Sequence, residues 1–307
     1  LARQNQGCAI YPASVVEGSD ETGLSEFVGT GPYRFVEHLP DRHILLERYE
    51  DYSQPAEEPD GYGGFKHRYL DQIYFIPVPD EAARVAGLRA GDYDYLQDIS
   101  SDQFQDLDAD ENVVAELLPS AAWAVLVLNM AEGLMSDQTI RQAAQAALDH
   151  EEIAQAAYGA DFYDLDPGIM HKETAWHSTV GEELYNRNDP ELAAELLDEA
   201  GYDGTPIRLA TTQEYNYMYN SAAVAEQQWR DAGFEVDLQV FDWATLVEVR
   251  ANPAEWDVFT TGVTFRTDPV MQPFISGTEW PGWWDTSEKN ELARQLLSET
   301  DFDTRFA

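Results

Sequence analysis

The second half of the chain alternates strand patterns with helix patterns, and this alternation limits the fold more than any other feature of the sequence. Apolar runs typical of strands are separated by two helix patterns, "AAVAEQQWRDAG" and "ATLVEVRA". The strand runs cover residues 206–212, 234–242 and 256–265. Because strands joined by helices lie in one sheet with the helices on its faces, the pattern predicts an α/β fold with a mixed or parallel sheet.

Three further helices are predicted from the residues that begin and end them. An aspartate precedes each of the three patterns, at Asp137, Asp149 and Asp189, where its side chain can accept hydrogen bonds from the first free backbone N–H groups. Glycine follows two of the patterns, at Gly159 and Gly201, as is common at helix ends. This part of the chain should therefore be mainly helical.

The first third of the chain is richer in strand patterns. Residues 31–38 and 43–49 lie on either side of a turn signal at Pro40 and Asp41, which predicts an antiparallel pair. A helix should follow, capped by Asp80 and closed at Gly91. The other features of this region are expected strands at 72–78 and 93–96, and apolar runs at 113–118 and 123–128.

The length of 307 residues exceeds the size at which a single core usually stops growing, so two lobes are expected. We place the boundary where strand patterns give way to helix patterns. Residues 1–128 would form part of a first lobe, and residues 129–307 a second, α/β lobe that is truncated at its C-terminus. We also expect the protein to continue beyond both ends, since the chain begins at Leu1 and stops just after a helix pattern.

The charge of the chain excludes one class of partner. The sequence has 18 Lys and Arg residues against 58 Asp and Glu residues, a formal net charge of -40. Nucleic-acid binding is not expected, because it requires basic surfaces that displace counterions from phosphates. With 44% hydrophobic residues the chain can still build a core. The charge therefore indicates an acidic surface suited to a salt-rich medium, where screening acts over about 3 Å at 1 M.

Signals for targeting and for redox chemistry are sparse. No stretch approaches the ~20 apolar residues of a membrane span, and the first residues lack the basic and apolar segments of a signal peptide. Cys8 is the single cysteine, so no intrachain disulfide can form. These features leave the compartment open at this point.

No motif for catalysis or for a cofactor is present. The six histidines show none of the close spacings that bind zinc, and the chain lacks GxSxG, GxxxxGK(S/T) and strand-linked GxGxxG motifs. Residues 165–189 form a long predicted loop that contains His171 and His177. Asp166 and Glu173 are close to them in sequence, so a metal site there is a weaker alternative to an ordinary acidic loop. We expect a protein without enzymatic activity, cofactor or resident metal.

Several segments follow one another in an order that resembles a known family. They include "VGTGPYRFVEHLPDRHILLERYEDY", "LDQIYFIPVPDEAARVAGLRAGDYDYLQDIS", "IRQAAQAALDHEEIAQAAYG" and "AAVAEQQWRDAGFEVDLQVFDWATLVEV". The family is the extracellular solute-binding proteins of peptide and nickel ABC importers, family 5, and the resemblance covers about residues 28–300. Residues that match its Gly-Thr-Gly-Pro-Tyr turn and its Arg-Gln-Ala helix are Gly29, Gly31, Pro32, Tyr33, Arg141, Gln142 and Ala143.

The resemblance implies a two-lobed, periplasmic-binding-protein-like fold of type II, with part of the first lobe and most of the second in this chain. It also implies capture without chemistry, in which two lobes close on a solute by hinge motion and the membrane permease recognises the closed form. The expected partners are a small-molecule or peptide ligand and the permease subunits of an ABC transporter. The protein would be extracellular, monomeric and held at the cell surface by an N-terminal anchor.

A short peptide is the ligand that the resemblance favours most. An oligosaccharide is the nearest alternative, and nickel is the third. A hydrolase secreted into brine is the alternative from another class, and it would need a nucleophile or a metal that the sequence does not display. A structural or scaffold role is a further alternative.

Aromatic side chains are the expected walls of the ligand cleft. Tyr215 and Tyr217 follow the strand pattern that ends in "LATT", and Trp123 lies on a strand pattern shortly before the change to helices. Trp283 and Trp284, in "EWPGWWD", can stack on a peptide side chain or a sugar ring. Each of these residues has a structural alternative as part of the core or its rim.

The stretch "TTGVTFRTDP", residues 260–269, places an arginine directly after a predicted strand. In peptide-binding members of the family that it resembles, this region carries an aspartate that holds the amino group of the peptide. Counting from Gly262, Arg266 takes that position here, and Asp268 follows two residues later. Either Asp268 supplies the carboxylate after a shortened turn, or Arg266 binds an acceptor group of the ligand, or Arg266 pairs with a surface acid.

Overall fold

The computed structural model describes residues 11–19, 23–24, 26–59, 63–97, 99–117 and 122–306, so Cys8 lies outside the described residues. The chain divides into two compact units, residues 1–94 and residues 95–307, which we call unit 1 and unit 2. In the part of the chain that the structure describes, no helix has the length and apolar character needed to cross a bilayer.

Unit 1 contains a three-stranded antiparallel sheet. Its strands are β1, Tyr33–Leu39, β2, His43–Arg48, and β3, Gln72–Phe75, in the spatial order β1-β2-β3. The predicted antiparallel pair is confirmed, and β1 carries a register shift typical of a β-bulge. Asp41 in the turn has a φ of 59°, a left-handed conformation that aspartate tolerates better than most residues.

The helices of unit 1 are α1, Ala13–Glu17, and α2, Glu81–Ala90. The sequence signals at both ends of α2 are confirmed. The side chain of Asp80 accepts a hydrogen bond from the backbone N–H of Ala83 at 2.7 Å, and Gly91 closes the helix with a φ of 78°.

Unit 2 is built on a four-stranded mixed sheet. Its strands are β4, Ala122–Leu128, β5, Ile207–Thr212, β6, Val236–Phe241, and β7, Val258–Thr264. Their spatial order is β4-β7-β5-β6, with β5 parallel to both β6 and β7 and β4 antiparallel to β7. The mixed sheet expected from the alternation of strands and helices is therefore confirmed.

The helices of unit 2 follow the predicted caps. Asp137, Asp149 and Asp189 each accept hydrogen bonds from backbone N–H groups at the start of a helix. Short 3-10 helices cover Leu134–Ser136, Glu182–Leu184, Pro253–Glu255 and Pro269–Met271. The α-helices are α3, Ser101–Asp108, α4, Gln138–Ala146, α5, His150–Tyr158, α6, Pro190–Ala200, α7, Asn216–Asp231, α8, Trp243–Val249, α9, Pro273–Ser276, α10, Ser287–Ser298, and α11, Phe302–Phe306.

The core of unit 2 lies on both faces of its sheet. Side chains alternate along a strand, so Leu209 of β5 packs into one cluster and Ala210 into the other. The first cluster includes the fully buried Trp229 of α7 and side chains of α4, α5 and α6. The second includes Leu246 of α8 together with Trp256. The helices α7 and α8, which connect the parallel strands, therefore cover opposite faces.

Two details of the sequence-based prediction are wrong, for local packing reasons. Residues 93–96 are irregular instead of a strand, because the ring of Tyr93 folds back onto α2 at Gly87, where an added Cβ would lie 2.3 Å from the ring. Helix α3 was not predicted, because it carries few apolar residues and buries mainly Leu107. The apolar run at 113–118 is not a strand over residues 113–117, and residue 118 is outside the described part.

The predicted boundary at residue 128 does not coincide with the division into compact units. Strand β4 pairs with β7 from Ala122 to Leu128, so it belongs to the sheet of unit 2. The assignment of residues 1–128 and 129–307 to two lobes of a longer protein stays a prediction.

Candidate functional site

The carboxyl edge of the unit 2 sheet contains a topological switch point. From β5 the chain crosses through α7 to β6 on one side, and from β6 it returns through α8 to β7 on the other side of β5. After β5 the chain enters α7, which packs in the first cluster, and after β7 it continues to Trp280, which packs against the second. The segments that leave β5 and β7 therefore go to opposite faces of the sheet, and we call the space between these two strand ends the crevice. Ligands of open α/β sheets bind in such crevices, outside the carboxyl ends of the strands. We take the edge between β5 and β7 as the candidate site.

Tyr217 reaches from the first turn of α7 to β7 at this crevice. Its hydroxyl oxygen lies 2.6 Å from the position that a Cβ atom on Gly262 would occupy. A glycine inside a strand often marks a site where another group approaches the backbone closely. Gly262 therefore allows the Tyr217 hydroxyl to lie directly against β7.

Tyr217 also belongs to a row of aromatic rings that runs along the crevice. Its ring stacks on Tyr158 of α5, with centroids 5.6 Å apart and an interplanar angle of 14°. On the other side Tyr215 lies 6.2 Å from Tyr217 and meets Trp243 edge to face at 5.1 Å. We call Tyr158, Tyr217, Tyr215 and Trp243 the aromatic row.

The aromatic row contains one strongly shifted phenol. Burial, followed by the neighbouring Tyr217, raises the pKa of Tyr158 well above its ordinary value. The Tyr158 hydroxyl therefore stays protonated at any physiological pH and adds no charge to the crevice.

A second aromatic group lies at the end of β7 next to β4. Trp123 is opposite Val263 in the register of the two strands, and its ring meets Phe265 edge to face at 4.3 Å. Phe265 in turn lies 4.4 Å from the ring of His171, a side chain that is only 7% exposed. The carboxyl end of β7 is thus flanked by rings from the loop 165–189 and from β4.

Arg266 follows Phe265 directly and is half-buried. Its Nε atom is buried and has no hydrogen-bond partner in the described part of the chain. Within the described residues, no carboxylate forms an ion pair with it, so the alternative in which Arg266 pairs with a surface acid is not what the structure shows there. Burial lowers the pKa of Arg266, but a guanidinium still remains charged in any protein environment.

Asp268, the other candidate in this stretch, already accepts hydrogen bonds from within the protein. Its Oδ1 atom accepts hydrogen bonds from the backbone N–H of Val270 at 3.0 Å and from Nη2 of Arg305 at 2.9 Å. Arg305 in turn lies 4.7 Å from the ring centroid of Trp176. Asp268 therefore holds its own turn against α11.

The turn that carries Trp283 and Trp284 lies at the opposite edge of the sheet. Gly282 accepts a hydrogen bond from the backbone N–H of Met130, just after β4 ends, at 3.0 Å. Trp283 stacks on the fully buried Trp256 with centroids 5.6 Å apart, while Trp284 is 38% exposed. The structure therefore separates these two tryptophans from the group formed by Trp123, Tyr215, Tyr217 and Arg266.

A cavity of about 580 Å³ also lies away from the crevice, at the amino ends of β5 and β6. It is lined in part by Arg208 and Asp257. Asp257 is 2% exposed, and it accepts hydrogen bonds from Nε of Arg208 at 2.8 Å and from the backbone N–H of Leu134 at 3.1 Å. Because these charged groups bind each other, we prefer the crevice at the carboxyl edge as the ligand site.

The loop 165–189 does not assemble a metal site in the described part of the chain, where no group of three or more potential ligands converges. Nε2 of His177 lies 2.9 Å from Oδ1 of Asp166, and Nδ1 of His171 accepts a hydrogen bond from the backbone N–H of Glu173 at 3.3 Å. Burial raises the pKa of Asp166, but hydrogen bonds from Gly168 and His177 outweigh it, so the net pKa is below its ordinary value.

Sequence reasoning did not assign Tyr158, Gly262 and Phe265 to this site, and it considered His171 only as a possible metal ligand. A usable signal existed only for Gly262, because an isolated glycine inside a strand pattern suggests a close approach. Tyr158 and Phe265 end a helix and a strand pattern, and nothing in their local sequence shows which rings they meet.

Comparison with known families identifies the family of this chain. Residues 4–283 match the model of the bacterial extracellular solute-binding proteins, family 5 Middle. The chain belongs to this family. The resemblance inferred from the order of its segments is therefore confirmed, and members of the family are by description extracellular solute-binding proteins.

Individual relatives extend the comparison. The chain is 27% identical over 304 residues to a probable peptide ABC transporter periplasmic-binding protein of Sinorhizobium fredii, covering 91% of this chain and 56% of that protein. The structure of DppA from Helicobacter pylori in complex with peptide STSA matches with a TM-score of 0.77 at 18% identity, covering 92% of this chain and 54% of that one. The structure of NikA from Staphylococcus aureus in complex with Ni(L-His)2 matches with a TM-score of 0.74 at 20% identity, covering 91% and 58%.

These matches confirm the predicted α/β fold class of the periplasmic-binding-protein type. The chain spans between 54% and 58% of the length of the three proteins. At identities this low, the two structural matches show the fold, and the ligands named for those proteins remain theirs.

Proposed function

We propose that the full protein is the ligand-binding component of an ABC importer, and that it captures a short peptide and delivers it to the membrane permease. Family membership supports the importer, and the peptide assignment follows from the relative in Sinorhizobium fredii. The observation that carries the proposal is the crevice between β5 and β7, which has aromatic rings on both sides. At its end lies the guanidinium of Arg266, which has no partner among the described residues.

This crevice has the composition expected of a binding site. Aromatic faces supply apolar contact area at low cost in conformational entropy, and a small number of polar groups fixes the orientation of the ligand. We propose Tyr215, Tyr217, Trp123 and Arg266 as ligand-binding residues of the site. Asp268 would position the turn after β7, and Trp283 and Trp284 would stabilise the opposite edge of the sheet.

The setting proposed for the protein follows from its family and its charge. We infer an extracellular, monomeric protein held at the cell surface by an N-terminal anchor, with permease subunits as partners. A net charge of -40 repels itself strongly in dilute buffer, so a salt-rich medium that screens the charges would favour the folded state.

The proposal can be tested by calorimetry and thermal shift on the full-length protein. The probes are alanine peptides of increasing length, maltooligosaccharides, and nickel with histidine. We expect a stabilising shift with at least one peptide and no hydrolysis of it, because a ligand that binds only the folded state raises the free energy of unfolding. Hydrolysis, or binding of the sugar or nickel probes alone, would contradict the peptide proposal.

A pair of variants tests the location of the site. Tyr217→Ala should weaken peptide binding about tenfold or more, since it removes a ring and a hydroxyl from the crevice. Trp284→Ala is the matched control, because it removes an exposed aromatic ring at the opposite edge of the sheet. If Trp284→Ala weakened binding and Tyr217→Ala did not, the site would lie elsewhere.

A further inference from the structure

We infer that Arg266 binds a carboxylate of the ligand at the carboxyl end of β7, so that the crevice selects ligands with a negative charge at this point. The inference rests on the proposed function as a solute-binding protein. It names the chemical group that the site recognises, and it distinguishes this site from one built to hold the ammonium group of a peptide.

Most of the other described arginines have a binding partner within the protein. The sequence has 58 acidic residues for 18 Lys and Arg residues, so acidic partners are plentiful. Arginines that form ion pairs are Arg34, Arg48, Arg208, Arg230, Arg294 and Arg305. Others donate to backbone carbonyls, as Arg68 and Arg141 do, or lie over rings, as Arg250 does over Trp243 at 5.5 Å.

Arg266 departs from this behaviour. Among the described arginines, Arg266 is the half-buried one whose side chain has no ion pair, no hydrogen bond and no ring contact. The side chains of Arg42 and Arg187 also lack these contacts, but they are exposed to solvent. A buried donor without a partner costs free energy, because it has lost its hydrogen bonds to water and gained none. Because most buried polar groups in folded proteins are hydrogen-bonded, an unsatisfied group of this kind calls for an explanation, and a ligand that completes the bonding is the one we develop for Arg266.

The atom that lacks a partner indicates the group that would fit. Nε and one Nη atom form one edge of the guanidinium, and this edge donates two parallel hydrogen bonds to a carboxylate. In Arg266 the buried Nε lies on that edge. A carboxylate would satisfy Nε and neutralise the charge in one step, which a neutral acceptor cannot do.

The nearest acid in the sequence does not compete for Arg266. Asp268 uses Oδ1 to bind both Val270 and Arg305, and its pairing with Arg305 is partly buried, with side-chain exposures of 27% and 17%. Arg305 therefore neutralises the local carboxylate, and Arg266 has no counter-charge among the residues that the structure describes.

The surroundings favour a strong interaction at this position. Phe265, the residue before Arg266, packs between the rings of Trp123 and His171, so the end of β7 is lined with apolar surface. Charges that are partly removed from water are screened by salt much less than exposed ones. A carboxylate bound here would thus remain bound in a medium of high ionic strength.

The decisive experiment uses peptides that carry a single carboxylate. Tri-, tetra- and pentaalanine are measured by calorimetry against the full-length protein, each with a free and with an amidated C-terminus. We expect amidation to weaken binding about tenfold to a hundredfold, the range for a hydrogen bond to a charged group. This arm needs no protein variant, so it does not depend on how a substitution folds.

Variants then assign the effect to Arg266. In Arg266→Ala the free-acid peptides should bind as weakly as the amidated ones, and amidation should have no further effect. Arg266→Lys should recover part of the affinity, because it keeps the charge and loses the two-bond geometry. Arg294→Ala is the matched control, since Arg294 is 67% exposed and pairs with Glu291. Thermal unfolding of each variant verifies that it is folded.

A further arm distinguishes the source of the carboxylate. Amidated Ala-Glu-Ala is compared with amidated Ala-Gln-Ala, which differ only in the charge of one side chain. Preference for the glutamate peptide that disappears in Arg266→Ala assigns the site to a side-chain carboxylate. Preference for free C-termini assigns it to the chain end.

Two outcomes would overturn the inference, and they differ from failure of the proposed function. Peptides that bind wild type and Arg266→Ala with equal affinity would make Arg266 a structural residue. Loss of binding on N-acetylation, with no effect of amidation or of side-chain charge, would assign the site to an ammonium group. If no peptide binds wild type, the proposed function itself fails, and the inference with it.

Discussion

Unit 1 and unit 2 each contain a β-sheet, but they bury it differently. In unit 2, Leu209 and Val258 on one face and Phe259 on the other are all fully buried, because helices of the same unit cover both faces. In unit 1, Ile44 of the central strand is 38% exposed and its neighbour Phe75 is 55% exposed.

The difference shows where each sheet finds its stability. Alternating strands and helices supply both a sheet and its cover within a short stretch of sequence, whereas a run of antiparallel strands supplies a sheet alone. The candidate site lies on unit 2, so its residues project from a scaffold with its own core, which is the arrangement that holds binding groups most accurately.

The largest expected difference between the two units is the loss of stability when one partner of an ion pair is removed. Asp257→Ala in unit 2 leaves Arg208 and two backbone N–H groups without their acceptor in a buried position, and should lower the free energy of unfolding by about 3–5 kcal/mol. Glu47→Ala in unit 1 removes the partner of Arg34 from a pair whose side chains are 30% and 63% exposed, and it should cost about 1 kcal/mol or less. Urea unfolding of both variants, with hydrogen exchange to report on each unit, measures this. Equal losses would show that the two units bury charge alike.

A smaller contrast is expected for identical apolar deletions in the two sheets. Leu209→Ala empties a fully buried position in β5 and should cost about 2–5 kcal/mol. Leu46→Ala in β2, a half-buried position, should cost about 1 kcal/mol, because water already reaches part of the side chain. The same unfolding experiment applies. A Leu46→Ala variant as damaging as Leu209→Ala would mean that the sheet of unit 1 is covered as well as that of unit 2.

Glycine substitutions in the two units should also differ in their effect on stability. Gly262→Ala forces a methyl group toward the hydroxyl of Tyr217 and should cost about 1–3 kcal/mol. The cost should decrease in a Tyr217→Phe background, where the hydroxyl is absent. Gly31→Ala in unit 1 is the control, since an added Cβ meets nothing within 4 Å there, and it should be nearly neutral. A Gly262→Ala cost that is independent of Tyr217 would contradict the close contact.

The smallest effect is a pH dependence confined to unit 2. Burial, partly offset by Asp149, lowers the pKa of His150, whose ring stacks on Tyr185 at 4.7 Å. A histidine in the unfolded chain has a pKa of about 6.5, so below that pH the unfolded state binds more protons than the folded state. The free energy of unfolding should therefore fall as the pH decreases from about 6.5 through the lowered pKa.

The His150→Gln variant isolates this contribution. It should show a shallower loss of stability than wild type between about pH 6.5 and the acid limit of folding, as measured by urea midpoints at a series of pH values. Superimposable profiles of wild type and variant would show that His150 does not contribute.

Much of the fold could be predicted from the sequence because its signals are local. Asp137, Asp149 and Asp189 cap helices through bonds to residues two or three positions away, and strand patterns report which faces are buried. The prediction of a strand at 93–96 was wrong because the contact that decides the conformation there is not visible in the local pattern. Tyr93 folds back against Gly87 of α2, and alternation of residues carries no information about such a contact.

The sequence by itself determined the α/β class, most helix and strand positions and the family, because these depend on neighbours in the chain. Only the tertiary structure decided which rings meet at the end of β7, and that Asp268 binds Arg305, 37 residues away, while Arg266 is left unpaired among the described residues. It also decided that Trp283 packs on Trp256 at the opposite edge of the sheet. Contacts between residues distant in the chain depend on how elements pack, and no periodic pattern in the sequence records that packing.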